Sequence, residues 1–420
     1  MAFLTLFLLI IIFSSLLLRK PGAALVVIIL FQDIIGLIAR EIGLGSMKFP
    51  IVVVLFLIYC FTTIIIKRKK VKIDFNAILL GLFALLIGMI IHLFIIGGVE
   101  FGGKALVARF LLQNVSLLLI AFIFLTKDQL KDVSYGVLIF GILFYLILFL
   151  FGYWKIISVS QRLAIRDFMD ISPIAFARIN GMVLITSLIY GSKTSRKKIR
   201  FLCLTSFILA LYWIFVAASR GVIIAIAFTI ILFYFFESKD LRTLAFNISP
   251  VLLIIPLLYF LLIFYDFAVL ERFYQLKSYE EMERYVGYLA AWNLFIDNWI
   301  LGLGPNGYYE LTGRIYPHNF FLELVSEYGL FGFISFSLIV FGGFLSSFKI
   351  LQSRSSDFRI KILVLFWIFY FVATMFSGYI VSNREFWVST GILLSVIYFY
   401  QNDRLSKLDL SKFQKIIITK

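Results

Sequence analysis

Cysteine and histidine are nearly missing from this chain of 420 residues, which holds two of each. Cys60 and Cys203 lie within or beside apolar runs, which leaves neither a disulfide framework nor a zinc-ligand pattern. Charge is scarce as well: 15% of residues are charged and 62% are hydrophobic, with a mean hydropathy of +1.03. Soluble globular domains are apolar over about half of their residues, so that class is excluded. No basic residue precedes the apolar run 1–18 and no small-residue cleavage site closes it, so it reads as a retained span and not a cleaved signal peptide.

In place of these features stand successive apolar runs, near 2–18, 22–39, 50–66, 77–96, 106–125, 133–153, 173–190, 201–218, 221–236, 244–264, 329–348, 361–380 and 386–400. Each approaches the roughly 20 residues a helix needs to cross a bilayer core. The runs are continuously apolar and do not alternate, which points to helices and not to a barrel. The expected fold is an all-α polytopic membrane protein with about 12–13 transmembrane helices. Its one large extracytoplasmic loop is helical.

The formal net charge of +16 has a topological explanation. Lysine and arginine cluster in alternate loops, at 67–70, 193–200, 239–242 and 349–361, and in the tail from Arg404. Positive loops stay in the cytoplasm and meet anionic lipid head groups there, so nucleic-acid binding is not expected. The same threading puts the turn at Ser219-Arg220, the loop 154–172 and the long loop 266–329 outside. Four parts follow: a helix bundle over 1–265, an extracytoplasmic loop over 266–328, further spans over 329–400 and a basic cytoplasmic tail over 401–420.

Arginine dominates the outer side, at Arg40, Arg109, Arg162, Arg166, Arg178, Arg220, Arg272, Arg284, Arg314 and Arg384. A guanidinium fork suits phosphate and carboxylate better than an ammonium does, which suggests an acidic ligand there. Pairing with outer acids such as Glu100, Asp167, Asp170 and Glu271 is the plainer explanation for any one of them. Arg220 is the sharpest case, because Ser219-Arg220-Gly221 leaves almost no loop between two apolar runs.

Within the long loop, Ser278-x-x-Glu281 resembles a capping box, and 282–300 has helical periodicity. Arg284 and Tyr288 then share a face. The aromatic content suits a helix lying on the membrane interface. Residues 302–307, Gly-Leu-Gly-Pro-Asn-Gly, form a turn that could also cradle phosphate, although the Lys-Ser/Thr of a nucleotide P-loop is missing. His318 precedes Asn319, a good N-cap for the helix 320–328. The positive end of that helix keeps an imidazole neutral and usable as a base. A purely structural histidine is the competing reading. His92 and the pair Gln32-Asp33, inside apolar runs, read as polar residues paired within the bundle.

Taken together, Arg284-x₇-Trp292, Gly302-x-Gly304-Pro305-Asn306-Gly307 and Pro317-His318-Asn319-x₂-Leu322-Glu323-x₃-Glu327-Tyr328-Gly329-Leu330-x-Gly332 resemble the signature of the O-antigen ligase and polymerase superfamily. Ser219-Arg220-Gly221 matches its Ser-Arg element. The resemblance extends from Cys203 to the end of the chain. It implies a GT-C-type glycosyltransferase of the bacterial inner membrane, acting on the periplasmic side. The implied donor is an undecaprenyl-diphosphate-linked glycan, and neither metal nor cofactor is implied. The outer face also shows no DxD-like acidic pair. By the resemblance, Arg220 and Arg284 hold the donor diphosphate and His318 deprotonates the acceptor hydroxyl. Asn319, Tyr288, Arg166 and Arg314 complete the expected donor contacts.

The implied acceptor is a lipid-linked repeat unit in a polymerase, or lipid A-core or a protein in a ligase. The short loops and tail favour the polymerase, for which a chain-length regulator protein is a candidate partner. A polysaccharide transporter or flippase built around Asp33, His92 and Arg178 is the remaining alternative. It would predict internal repeats with broken helices, which this sequence does not show.

Overall fold

The computed structural model describes residues 76–96, 101–150, 172–217, 219–238, 279–353 and 356–418, together with the single positions 22, 26, 240, 242 and 243. The spans expected near 2–18, 22–39, 50–66 and 244–264 fall outside them apart from those single positions, and Arg166 and Asp33 fall outside as well. Among the described residues the regular structure is entirely helical. Twelve α-helices are described: α1 (Ala77–Ile90), α2 (Phe101–Arg109), α3 (Ser116–Phe124), α4 (Lys127–Leu150), α5 (Pro173–Lys193), α6 (Lys197–Ala217), α7 (Arg220–Glu237), α8 (Tyr279–Asp297), α9 (Gly307–Thr312), α10 (Phe320–Gln352), α11 (Phe358–Phe376) and α12 (Arg384–Ile418). A π-helical stretch, Ile91–Ile96, extends α1, and another, Phe110–Val115, joins α2 to α3.

Among the described residues eight segments are long and apolar enough to cross a membrane, and each overlaps an expected span. This is an all-α multi-pass membrane protein. Starts follow local chemistry. Asn76 accepts the Leu79 N–H at 3.1 Å to cap α1, and Pro173 opens α5, where its missing N–H costs nothing.

Two expectations need correction. The span expected over 361–380 ends at Phe376, because Ser377 is extended and Gly378 takes φ +101°. Residues 377–383 therefore run irregularly before α12. The last span, expected over 386–400, runs on as helix α12 through residues 401–418 to Ile418. Those residues contain neither glycine nor proline to stop a helix.

In α5 and α11, 78% and 72% of the membrane-length window is buried, against 33% in α6 and α7, so the first two form the centre of the bundle. α10 lies close along α1 because Gly81 faces Ser335 and Ile339, and Gly342 faces Ala77 and Ile78. A β-carbon at either glycine would approach these neighbours to 2.8 Å. Small residues at such crossings let helices pack where lipid supplies no hydrophobic drive.

The two ends of the bundle differ in chemistry. At one, Glu237 joins Lys193 to Lys361 and ties together the ends of α5, α7 and α11. The other end gathers the start of α7, the 377–383 segment and the whole of 279–329.

Candidate functional site

The site is built around a break in α10. Gly329 adopts φ +53° and ψ −129°, which no L-residue tolerates easily, and the helix loses its regular bonds there. The stranded carbonyls of Ser326 and Glu327 accept the N–H groups of Leu303 (3.0 Å) and Gly304 (2.8 Å). In return, the Leu330 N–H donates to the Ile300 carbonyl at 3.1 Å. The loop after α8 thus closes the broken helix and supplies partners for backbone groups the break exposes.

This contact decides the role of residues 302–307. The Asn306 N–H donates to Glu327 Oε1 (3.1 Å) and the Gly307 N–H to the Gly304 carbonyl (3.0 Å). The amides that would cradle a phosphate are committed inside the chain, and the turn is a clasp. His92 reinforces it from the π-helical stretch after α1, with Nε2 2.7 Å from the Leu301 carbonyl. This confirms His92 as a polar residue paired within the bundle.

Arg178 also turns inward. It is buried, and its guanidinium donates to Asn383 Oδ1 (2.8 Å) and to the carbonyls of Ala373 (3.1 Å) and Ser377. Its donors hold the 377–383 segment against the end of α11.

Next to this framework stands His318. Among the described residues, only it and Asn306 combine a positive φ with a side chain, at +60° and +72°. A left-handed non-glycine residue costs of order 1–3 kcal/mol and persists only where its surroundings enforce it. Here Asn319 enforces it. Its Oδ1 accepts the Leu322 N–H (3.1 Å) to cap α10, and its Nδ2 donates to the Met375 carbonyl (3.1 Å). The expected cap is present, and both ends of the carboxamide, a presumed donor contact from sequence, are engaged within the protein.

The His318 ring packs on Tyr316 with centroids 4.4 Å apart, and Tyr316 stacks on Tyr379 at 5.3 Å. Its Nδ1 is buried and has no hydrogen-bond partner among the described residues. Burial first, then the charges of Arg284 and Arg314, push the imidazole pKa down from 6.5 to about 4. The imidazole is thus held neutral, but for a different reason than the sequence suggested: desolvation and two guanidinium groups, with no helix terminus among the causes.

Arg284 and Tyr288 lie one turn apart on α8, as expected. The outward face of that helix and the following turn is apolar, with Tyr285, Leu289, Trp292, Ile296 and Trp299 exposed, as an interfacial helix requires. Arg314 donates from Nη1 to the Glu283 carbonyl (2.7 Å), and the Tyr308 hydroxyl donates to the Gly287 carbonyl (3.2 Å). These bonds fasten α8 over the site.

Arg220 arrives from a separate hairpin. Its neighbour Gly221 sits so close to Phe376 that a β-carbon would come within 2.6 Å of the Phe376 Cβ. Asn319 binds Met375 and Gly221 abuts Phe376, so the Ser-Arg turn and the His-Asn turn meet on consecutive residues at the end of α11. Residues 205–337 match the family model described as O-antigen ligase.

The chain carries an O-antigen ligase domain. No curated protein matches the chain. The O-antigen ligase domain takes in Arg220, Arg284, the clasp and His318, and it ends within α10. The resemblance therefore stops short of α11 and α12, which the sequence reading had included. The domain belongs to a family of glycosyltransferase-like enzymes.

Sequence reasoning gave no site role to Tyr316, Tyr379, Glu323 or Glu327. Glu323 is buried, and both its oxygens lie 2.9 Å from the Ile380 N–H. That bond fixes Tyr379, and through it the wall behind His318. The acids at one and two turns past Asn319 were visible as a pattern, but their partner in the 377–383 segment was not. Among the described residues no group of three or more His, Cys, Asp and Glu side chains is placed to hold a metal ion.

Proposed function

We propose that this protein is a glycosyltransferase of the bacterial inner membrane. It moves a glycan from undecaprenyl diphosphate to a sugar hydroxyl at the periplasmic face, in the GT-C manner. The acceptor oxygen attacks the anomeric carbon of the donor while His318 takes its proton. The bond from that carbon to the diphosphate oxygen breaks, and the diphosphate leaves with the electron pair. Arg220 and Arg284 stabilise the charge that develops on it. Arg314 and Tyr288 line the donor side, and Arg166 is a further donor contact carried from the sequence.

The observation that supports this reading is His318 itself. A desolvated, neutral imidazole with a nitrogen unpartnered among the described residues, close to the charges of two guanidinium groups, suits proton abstraction beside a leaving anion.

The acceptor we propose is a second lipid-linked repeat unit, which makes the protein a polymerase, with a chain-length regulator as a candidate partner. The alternative is a ligase, with lipid A-core or a protein as acceptor, and the family match at 205–337 does not separate the two. Incubating purified protein with lipid-linked repeat units alone separates the two. A ladder of lengthened products identifies the polymerase, and product that forms only after lipid A-core is added identifies the ligase. If neither mixture yields product, the transferase reading fails.

The low pKa of His318 has its own signature. The base is active when deprotonated, so activity falls as pH drops through the pKa. The acidic limb of kcat/KM is expected near pH 4, well below the 6.5 of a free imidazole. Arg314→Gln removes one neighbouring positive charge but keeps a donor for the Glu283 carbonyl. It should move that limb towards higher pH. A wild-type limb at 6.5 would contradict the assignment of the base.

A further inference from the structure

A cavity of about 240 Å³ opens beside the clasp. Its floor is apolar, formed by Met89, Leu106, Val107 and Phe110. Its polar wall comes from Asn306, Tyr309, Glu323, Glu327 and Tyr379. We propose that this cavity is a binding subsite for one pyranose residue of the glycan.

Three features carry the assignment. The first is the chemistry of the wall. Glu323 and Glu327 are 2% and 7% exposed and lie one turn apart on the same face of α10. A carboxylate offers about four acceptor positions. Glu327 Oε1 receives only the Asn306 N–H, and Oε2 has no hydrogen-bond partner among the described residues. Buried acceptors next to open space call for a ligand that brings several donors, as sugar hydroxyls do. A phosphate brings mainly acceptor oxygens, which do not satisfy acceptors. An acyl chain would leave the remaining acceptor positions of both acids unmet, at a cost that a polar ligand avoids.

The second feature is the pairing of this wall with tyrosine rings and an apolar floor. A pyranose has C–H-rich faces and a hydroxyl-bearing edge, so one side of it can lie on Tyr309 or Tyr379 while the other meets the acids. The third is size and place. The volume is below the ~300–1,000 Å³ typical of sites for drug-sized ligands, so it suits one ring and not an oligosaccharide. Tyr379 lines the cavity and also stacks on Tyr316, which packs on His318. A sugar held here is separated from the imidazole by a layer of aromatic rings.

The test uses full-length protein in lipid nanodiscs and a panel of methyl hexosides, methyl N-acetylhexosaminides and free aminohexoses, read by saturation-transfer NMR. At least one is expected to bind the wild type. Val107→Trp fills the floor, and Tyr309→Ala removes a ring that is 46% exposed, so folding should tolerate that change. Each should weaken binding by about tenfold or more, the scale on which pocket contacts discriminate. His318→Ala should bind as the wild type does. The proposal is overturned if no glycoside binds the wild type, or if neither cavity variant weakens the binding.

Whether the ring belongs to donor or acceptor rests on the transferase reading. With the two chains distinguished by isotope, a raised acceptor KM in the cavity variants assigns it to the acceptor, and a raised donor KM to the donor. Neither rising would overturn the subsite. Loss of the transferase reading looks different: the wild type binds glycoside but makes no product.

Discussion

His318→Ala is expected to lower glycan transfer by about 10²–10⁴-fold, the usual contribution of a general base, while the protein still accumulates in the membrane. The imidazole is already desolvated and neutral, so removing it deletes the proton acceptor and leaves the donor site standing. Alanine also places a side chain at φ +60°, which has a conformational cost of its own. His318→Asn separates the two effects. Asparagine tolerates the left-handed region and cannot act as a base near neutral pH. Equal loss in both variants, with donor binding preserved, supports a chemical role. Near-wild-type turnover in either one removes His318 from the mechanism.

The second large effect is structural. Gly302→Ala and Gly329→Ala are each expected to destabilise the outer loop by about 3 kcal/mol or more and to abolish activity with it. Both residues have positive φ, and each faces the other's backbone. A β-carbon at 302 would lie 2.5 Å from the Glu327 carbonyl and the Gly329 nitrogen. One at 329 would lie 2.6 Å from the Gly302 nitrogen and 2.8 Å from the Ile300 carbonyl. Backbone atoms cannot swing aside as a flexible side chain can, so the clasp must open. Gly313→Ala is the control. Its φ is +67° but nothing lies within 4 Å of the added carbon, so only the conformational cost of roughly 1–2 kcal/mol remains. Thermal unfolding and limited proteolysis of the loop rank the three. A Gly329→Ala protein as resistant as Gly313→Ala would show that the close approach is not what holds the site.

These outcomes bear on different links of the same chain of causes. The histidine variants act on the chemistry with the scaffold in place, and the glycine variants act on the scaffold that sets the histidine. Gly302→Ala should therefore lower protease resistance and activity together, whereas His318→Asn should lower activity alone.

Much of the architecture could be read from hydrophobic run lengths, because a bilayer of fixed thickness demands about 20 apolar residues per helix whatever the helix packs against. The same rule fails at 377–380. Ser377, Gly378, Tyr379 and Ile380 continue an apolar stretch, but the buried Arg178 and Glu323 draw their backbone groups out of helical pairing. Pattern alone cannot reveal a competition between partners that lie 57 to 199 positions away. Similarly, the glycines at 302–307 announced a turn, whereas the recipients of the Leu303, Gly304 and Asn306 N–H groups belonged to a helix that follows later in the chain.

By itself, the sequence determined that this chain is a multi-pass helical membrane protein with Arg272, Arg284, Arg314 and one of its two histidines in a single long polar stretch. Composition and periodicity are local properties, and water and lipid respond to them locally. Tertiary structure decided which of those polar residues share a site. It spent Arg178 on a backbone segment, joined the Ser-Arg and His-Asn turns on Met375 and Phe376, and enclosed two acids beside a cavity. Such choices depend on distances between remote segments, and those distances exist only once the helices have packed.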